Sequence, residues 1–250
     1  MALVPDSRRL FRRALARADF DIHRVQPAPF GVRWQDDVKH YLQGRALRVA
    51  LDVGAHWGET ALQLVEEFPG VEVHSFEPMP ENFATLERAT AASAGNVRSI
   101  NAAVSDSAGT VRILRGRTSQ HASLHHGDDG VAVQALTVDE YVQEHGLARV
   151  DLLKIDTEGN EEAVLHGSLD QLERGSIEFV FCECEFTRRA DEPHGDFRAI
   201  LELLEPLGYR VVSFYTAGVD NLGWLWGDVL FRHAPGERDL DSVACSVRRT

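Results

Sequence analysis

The stretch "LDVGAHWGET", Leu51–Thr60, decides the fold. With the residues before it, "LRVALDVG" is a near-continuous apolar run that ends in an acid and a glycine, as a buried parallel strand does. The next residues, "GETALQLVEEF", carry helical spacing, with Ala61, Leu62, Leu64 and Val65 expected inward and a Pro-Gly stop behind them. Outward from this unit the alternation repeats. "VEVHSFEP" is a second strand, "PENFATLERATAAS" a second helix and "VRSINAAVSD" a third strand. "TVRILRG" through "VAVQALTVDEYV" is an antiparallel excursion followed by a short helix. "VDLLKID" is a fourth buried strand, "EEAVLHGSLDQL" a helix and "IEFVFCECEF" a fifth strand. "FRAILELLEPLG" is a last helix before the closing strands "YRVVSFYT" and "WGDVLFRH". Strands alternating with helices predict an α/β, doubly wound, mostly parallel sheet with helices on both faces.

The chain has 250 residues, enough for one such domain. Residues 1–45 read as a helical N-terminal extension, 46–233 as the domain and 234–250 as a polar tail. In the extension, "SRRLFRRALARA" sets Leu10, Phe11, Ala14 and Leu15 on one helical face. That face suits packing on the domain or on a second copy in a homo-oligomer. "QDDVKHYLQG" is a short helix closed by Gly44. The formal charge of −13 argues against a phosphate-backbone partner, and no run is long and apolar enough to span a membrane. The N-terminus is basic but lacks the apolar middle and cleavage site of a secretory signal, which points to the cytoplasm. Cys182 and Cys184, two apart in a strand, read as small buried side chains, and no zinc-type spacing involves them or Cys245.

In a doubly wound sheet, ligands bind beyond the carboxyl ends of the strands. The positions expected to line such a site are Asp52, Gly54, Ala55, His56 and Gly58 after the first strand. Glu77 and Pro78 follow the second, Ala103 the third and Asp156 the fourth. A dinucleotide turn requires G-x-G-x-x-G, yet His56 and Glu59 stand where its second and third glycines belong. A Walker loop is absent, and Glu59 would repel a phosphate at the helix start. Asp-x-Gly-x-x-x-Gly suits instead a ligand with a cationic amino-acid end and a ribose. Asp52 would face the ammonium group, Gly54 would let backbone approach the ligand, and Glu77 would accept the ribose hydroxyls. S-adenosylmethionine has those parts.

With these residues in place, the chain resembles the FkbM family of S-adenosylmethionine-dependent methyltransferases. The resemblance runs from about Leu47 to His233 and is carried by "LDVGAHWGETAL", "SFEPMPENFATL", "INAAVSDSAG", "VQALTVDEYV" and "VDLLKIDTEGNEEAVLHG". "TEG" stands where "VEG" is commoner. The resemblance implies a seven-stranded, Rossmann-like class I methyltransferase sheet with its last strand antiparallel. It also implies O-methylation of a hydroxyl, often on a sugar or a secondary metabolite.

An alkyl hydroxyl needs a base or a Lewis acid to become a nucleophile. Asp156, Glu158 and Glu185 are the catalytic candidates. Glu183 and Glu185, at i and i+2, share one face of the fifth strand, and with Asp156 they offer oxygens to a hard ion such as Mg²⁺. Of His121, His125 and His126, a histidine near the site would suit the role of base, while His125 and His126 read as part of an exposed polar loop. Trp57 and "NLGWLWGD" offer walls for an apolar pocket, although Trp224 and Trp226 read by default as strand core. Three alternatives remain open on the residues alone: a methyltransferase with another acceptor, a silent S-adenosylmethionine-binding protein, and an NAD-type oxidoreductase weakened by the failed glycine motif.

Overall fold

A computed structural model describes residues 30–93, 95–115, 122–125, 130–187, 195–221, 223–234 and 236. The expected helix at 7–18 and its docking face, His121, His126, Cys245 and nearly all of the tail lie outside them. Of His125 only the backbone is described.

In chain order the first elements are α1 (Trp34–Leu42), β1 (Val49–Val53), α2 (Glu59–Glu67), β2 (Glu72–Phe76), α3 (Pro80–Thr90), β3 (Val97–Ile100) and β4 (Ala103–Val104). Then come β5 (Gly109–Arg115), β6 (Ala122–His125), β7 (Val131–Leu136), α4 (Val138–Glu144), β8 (Val150–Ile155), α5 (Glu161–His166) and α6 (Leu169–Glu173). The last are β9 (Ile177–Glu185), α7 (Phe197–Leu204), β10 (Tyr209–Asp220) and β11 (Gly223–His233). The large sheet has seven strands in the order β10-β11-β9-β8-β1-β2-β3. β3, β2, β1, β8 and β9 are parallel, and β11 enters antiparallel between β9 and β10.

Side-chain alternation explains why these apolar runs lie in the middle of the molecule. Leu51, Val53, Leu153, Ile155, Val180 and Cys182 point to one face and join a core with Val164, Leu165, Ile200 and Leu204 of the helices. Ala50, Leu152, Phe179 and Phe181 point to the other and pack with Ala61 and Leu64 of α2. Both faces are covered, so every residue of β8 is buried. α1, read from sequence as part of a separate extension, shares that second core through Val38 and Leu42.

Four local expectations change. The third strand is broken: β3 stays in the large sheet, while β4 joins a four-stranded sheet ordered β4-β7-β5-β6. Asn101 sits at the break and donates Nδ2 to the carbonyls of Glu77 (2.8 Å) and Pro78 (3.1 Å), redirecting the chain. The helix after the fourth strand divides into α5 and α6 around Gly167, where a Cβ would lie 2.0 Å from the Ser105 carbonyl oxygen. Leu62 faces solvent, because α2 turns only Ala61 and Leu64 fully inward. Trp224 and Trp226 are exposed, because the β10–β11 hairpin projects past the layers that bury the rest of β11.

Candidate functional site

The carboxyl ends of β1, β2 and β8, with β4 and Ile113 of β5, surround a cavity of about 400 Å³. Among its lining residues are Gly54, Ala55, His56, Glu77, Pro78, Ala103, Asp156 and Glu158. All were singled out from sequence. Phe76, Ala102, Val104 and Ile113 supply apolar wall, and Asn82, Asn160 and Lys154 supply polar atoms.

The turn after β1 is folded tightly onto its neighbours. The backbone nitrogens of Gly54 and Ala55 both donate to the Phe76 carbonyl, at 3.1 and 2.9 Å. Gly54 has φ +78°, and a Cβ there would lie 1.7 Å from the Asp156 carbonyl oxygen. The approach of the chain after β8 by itself requires a glycine here. Gly58 does not line the cavity: with φ +95° it lets α2 start against Leu86 and Thr90 of α3. His56 and Glu158 are non-glycine residues with positive φ, +48° and +57°, and both border the cavity, where stored strain clusters at working sites. Trp57 is exposed and stacks on the His56 ring at 4.4 Å. Burial holds the His56 pKa below its ordinary value.

Glu77 is buried at the end of β2. Its Oε2 accepts the His56 N–H at 2.9 Å and its Oε1 the Met79 N–H at 2.8 Å. Burial pushes its pKa up to about 7, against the pull of those two amides.

Asp52 is fully buried and does not reach the cavity. The ammonium group it faces is that of Lys154, with Nζ 3.4 Å from Asp52 Oδ1. The two meet because Asp52 and Lys154 are register partners on β1 and β8, so the carboxylate expected to face a ligand's ammonium pairs inside the sheet. Lys154 Nζ also donates to the Gly54 carbonyl (3.0 Å) and lies 3.3 Å from Asp156 Oδ2. Burial raises the Asp52 pKa, opposed by Lys154. For Lys154 burial acts to lower the pKa, but Asp156 and Asp52 more than reverse it.

Beyond Asp156 lies an acidic group. Carboxylate oxygens of Asp156, Glu158 and Glu183 come within 4.8 Å of one another. Asp228 of β11 is the register partner of Glu183 on β9. Burial, then the charges of Asp156, Glu158, Glu161 and Asp228, push Glu183 up to about 9. Burial and Asp156 push Asp228 up to about 6. Glu185 does not join this group. Two residues further along β9, it is buried beside a separate depression with Phe186, Thr187, Asp196 and Arg198, and its backbone N–H donates to the Gly195 carbonyl. The trio expected as Asp156, Glu183 and Glu185 is thus Asp156, Glu158 and Glu183 in space.

Residues that the sequence did not single out include Asn82 and Asn160 of the cavity wall, Lys154, Glu161 and Asp228. Lys154 carried a signal: a lysine inside an apolar run must meet carboxylates. Glu161 accepts N–H groups of Thr157 (2.9 Å), Gly159 (3.1 Å) and Gly195 (2.8 Å), bracing the loop that carries Glu158. Asp228 had no signal, because its nearness to Glu183 follows from the insertion of β11 beside β9.

A family model described as the methyltransferase FkbM domain matches residues 52–211. The 2-O-methyltransferase NoeI of Sinorhizobium fredii is 27% identical over 211 residues, covering 74% of this chain and 79% of that protein. The 31-O-demethyl-FK506 methyltransferase FkbM of Streptomyces tacrolimicus is 30% identical over 209 residues, covering 70% and 78%. A crystal structure of an rRNA methylase from Streptococcus thermophilus is similar with a TM-score of 0.46 at 11% identity, over 80% of this chain and 94% of that one. So loose a likeness says nothing about the acceptor.

Proposed function

The chain belongs to the FkbM methyltransferase family, and from that membership we propose that it moves the methyl group of S-adenosylmethionine to a hydroxyl oxygen of a small molecule, a sugar of a glycoside or a secondary metabolite. The single observation that carries the reading is the cavity that joins the turn at Gly54–His56 to Glu77 on one side and Asp156 on the other. Two named relatives are O-methyltransferases.

The residues present fit the cofactor. Glu77, as an anion, accepts the two ribose hydroxyls. Phe76, Pro78 and Ile113 offer apolar surface to the base, and the carboxylates around the cavity favour a cation. The bound cofactor supplies a methyl group already activated on a sulfonium. Asp156, with its side chain 42% exposed at the cavity, orients the acceptor hydroxyl and takes its proton as the oxygen attacks. Glu158 borders the same end. The negative surroundings and the net charge of −13 disfavour phosphate-bearing acceptors such as nucleic acid.

A second reading adds a metal. The three carboxylates of Asp156, Glu158 and Glu183 are hard oxygen donors that suit Mg²⁺, and they would hold it where it polarises the acceptor hydroxyl.

Melting of the protein with S-adenosylmethionine, S-adenosylhomocysteine or NAD⁺ tests the cofactor. Both sulfur nucleosides are expected to raise Tm and NAD⁺ to leave it unchanged; no rise with either nucleoside overturns the reading. Transfer from labelled S-adenosylmethionine to methyl α-D-gluco-, manno- and galactopyranoside then tests the sugar acceptor. Asp156→Asn should bind S-adenosylhomocysteine but lose transfer, and normal turnover removes Asp156 from the chemistry. Binding without transfer to any hydroxylated acceptor would favour a silent binding protein.

A further inference from the structure

Lys39 and Lys154 are the two lysines of a chain whose lysines and arginines number 26. Lys39 lies on α1 and pairs with Glu67 at the surface. Lys154 lies inside β8, where all six residues are buried.

An ammonium group has three donors arranged around one point, whereas a guanidinium has five in a planar fork. Three oxygens surround Lys154 Nζ: the Gly54 carbonyl, which accepts its hydrogen bond at 3.0 Å, and the ion-pair partners Asp52 Oδ1 at 3.4 Å and Asp156 Oδ2 at 3.3 Å. Asp52 alone would neutralise it, and Asp52 is sealed from solvent. The other two oxygens belong to the two loops that border the cavity, one after β1 and one after β8. One positive charge among two carboxylates leaves the three groups with a net negative charge, and of the two carboxylates only Asp156 is open to the cavity.

We propose that Lys154 is a positioning residue: its buried ammonium ties the turn at Gly54 to the Asp156 carboxylate, fixing where Asp156 stands relative to the bound cofactor. Holding Oδ2 from below leaves the other oxygen for the acceptor hydroxyl. This inference rests on the reading that Asp156 receives the acceptor proton.

Two readouts test it, one without turnover. Protein labelled with ¹⁵N-lysine should give two side-chain ammonium signals, with that of Lys154 protected from exchange. Asp156→Ala should move the Lys154 signal and leave that of Lys39 in place. An unchanged Lys154 signal would overturn the contact. The second readout is the pair Asp52→Asn with Lys154→Met, which removes both buried charges together and keeps side-chain volume. It should melt near the wild-type temperature, bind S-adenosylhomocysteine within about threefold, and transfer methyl to the best of the three methyl pyranosides at least tenfold more slowly. A merely structural lysine predicts recovery of kcat in this charge-balanced pair, and that recovery would overturn the proposal. Should the pair not fold, Lys154→Arg carries the same test, since it keeps the charge but not the three-point geometry. Asp156→Asn, run in parallel, separates the two failures. If it is active, the role of Asp156 falls. If it is inactive while the Asp52→Asn, Lys154→Met protein turns over normally, only the role of Lys154 falls.

Discussion

Glu77 Oε2 and the backbone nitrogen of His56 are 2.9 Å apart, so the carboxylate at the end of β2 is fastened to the turn that follows β1. The hydrogen bond sets the acid at the edge of the cavity and ties its protonation to the shape of the turn. With a pKa of about 7, Glu77 changes charge where the protein is handled.

A ribose needs the anion. Affinity for S-adenosylhomocysteine is therefore expected to be flat above about pH 7.5 and to weaken by up to about tenfold per unit below pH 7. The sign for the free protein is opposite. The folded-state pKa lies above the ordinary carboxylate value, so this group's contribution to stability is fully present below that value and is lost as pH rises through about 7. Calorimetry from pH 5.5 to 8.5 reads the affinity. Glu77→Gln should cost about 2 kcal/mol of binding and abolish the pH dependence near neutrality. Unchanged affinity would remove Glu77 from ribose recognition.

Gly54 and Gly70 both have φ near +80°, yet they differ in surroundings. A Cβ on Gly54 would collide with the Asp156 carbonyl, while Gly70 has nothing within 4 Å. Gly70→Ala should cost only the conformational strain, about 1 kcal/mol. Gly54→Ala should cost at least about 3 kcal/mol and should also weaken cofactor binding, because β1 and β8 must separate. At this chain length each 1 kcal/mol moves Tm by roughly 2–4 °C. Equal melting shifts for the two variants would show that the loop after β8 yields more readily than the close approach implies.

Much of this was legible beforehand, for physical reasons. Strands such as β8 are buried on both faces and announce themselves as apolar runs, and the ligand end of a doubly wound sheet is fixed by topology. Thus Glu77, Asp156 and Ala103 were placed at the cavity from position alone. What stayed hidden depends on pairing between distant strands. Asp52 looked like a ligand contact until Lys154, a hundred positions on, took its charge. Glu185 looked equivalent to Glu183 at i, i+2 spacing, but it meets the chain at Gly195, and no local pattern encodes that contact. Trp224 and Trp226 alternate like core residues, and only the length of the hairpin reveals their exposure.

The three clustered carboxylates give the metal reading a direct check. Protein freed of metal with EDTA should bind Mg²⁺ in a calorimeter in the millimolar to micromolar range, and Glu183→Gln should lose at least tenfold in that affinity. Methyl transfer should rise on adding Mg²⁺ back. No Mg²⁺ binding and equal turnover in EDTA would return the whole task of accepting the proton to Asp156.

At the opposite end of the sheet, Glu178 gathers three arginines. Arg45 Nη2 lies 2.8 Å from its Oε1, Arg232 Nη2 lies 3.3 Å from the same oxygen, and Arg149 donates to Oε2. Glu178 is on β9, Arg232 on β11, and Arg45 precedes β1, so one carboxylate joins two strands to the segment that leads in from α1. Burial works to raise its pKa, but the hydrogen bond and charge of Arg45 and the charge of Arg149 bring it below the ordinary value. Since the folded-state pKa is depressed, the stabilisation is present above the ordinary carboxylate pKa and is lost as pH falls through the depressed value. Glu178→Gln leaves three guanidinium groups facing one neutral amide, and should cost about 3 kcal/mol at pH 7. Urea unfolding at pH 7 and pH 3 measures both effects. The variant should be much weaker than wild type at pH 7, and the gap should narrow as pH falls toward the depressed value. Cofactor binding at pH 7 should be unchanged in the folded variant, because this network lies at the amino ends of the strands, away from the cavity. A gap as wide at pH 3 as at pH 7 would mean that packing, and not charge, is what Glu178 contributes.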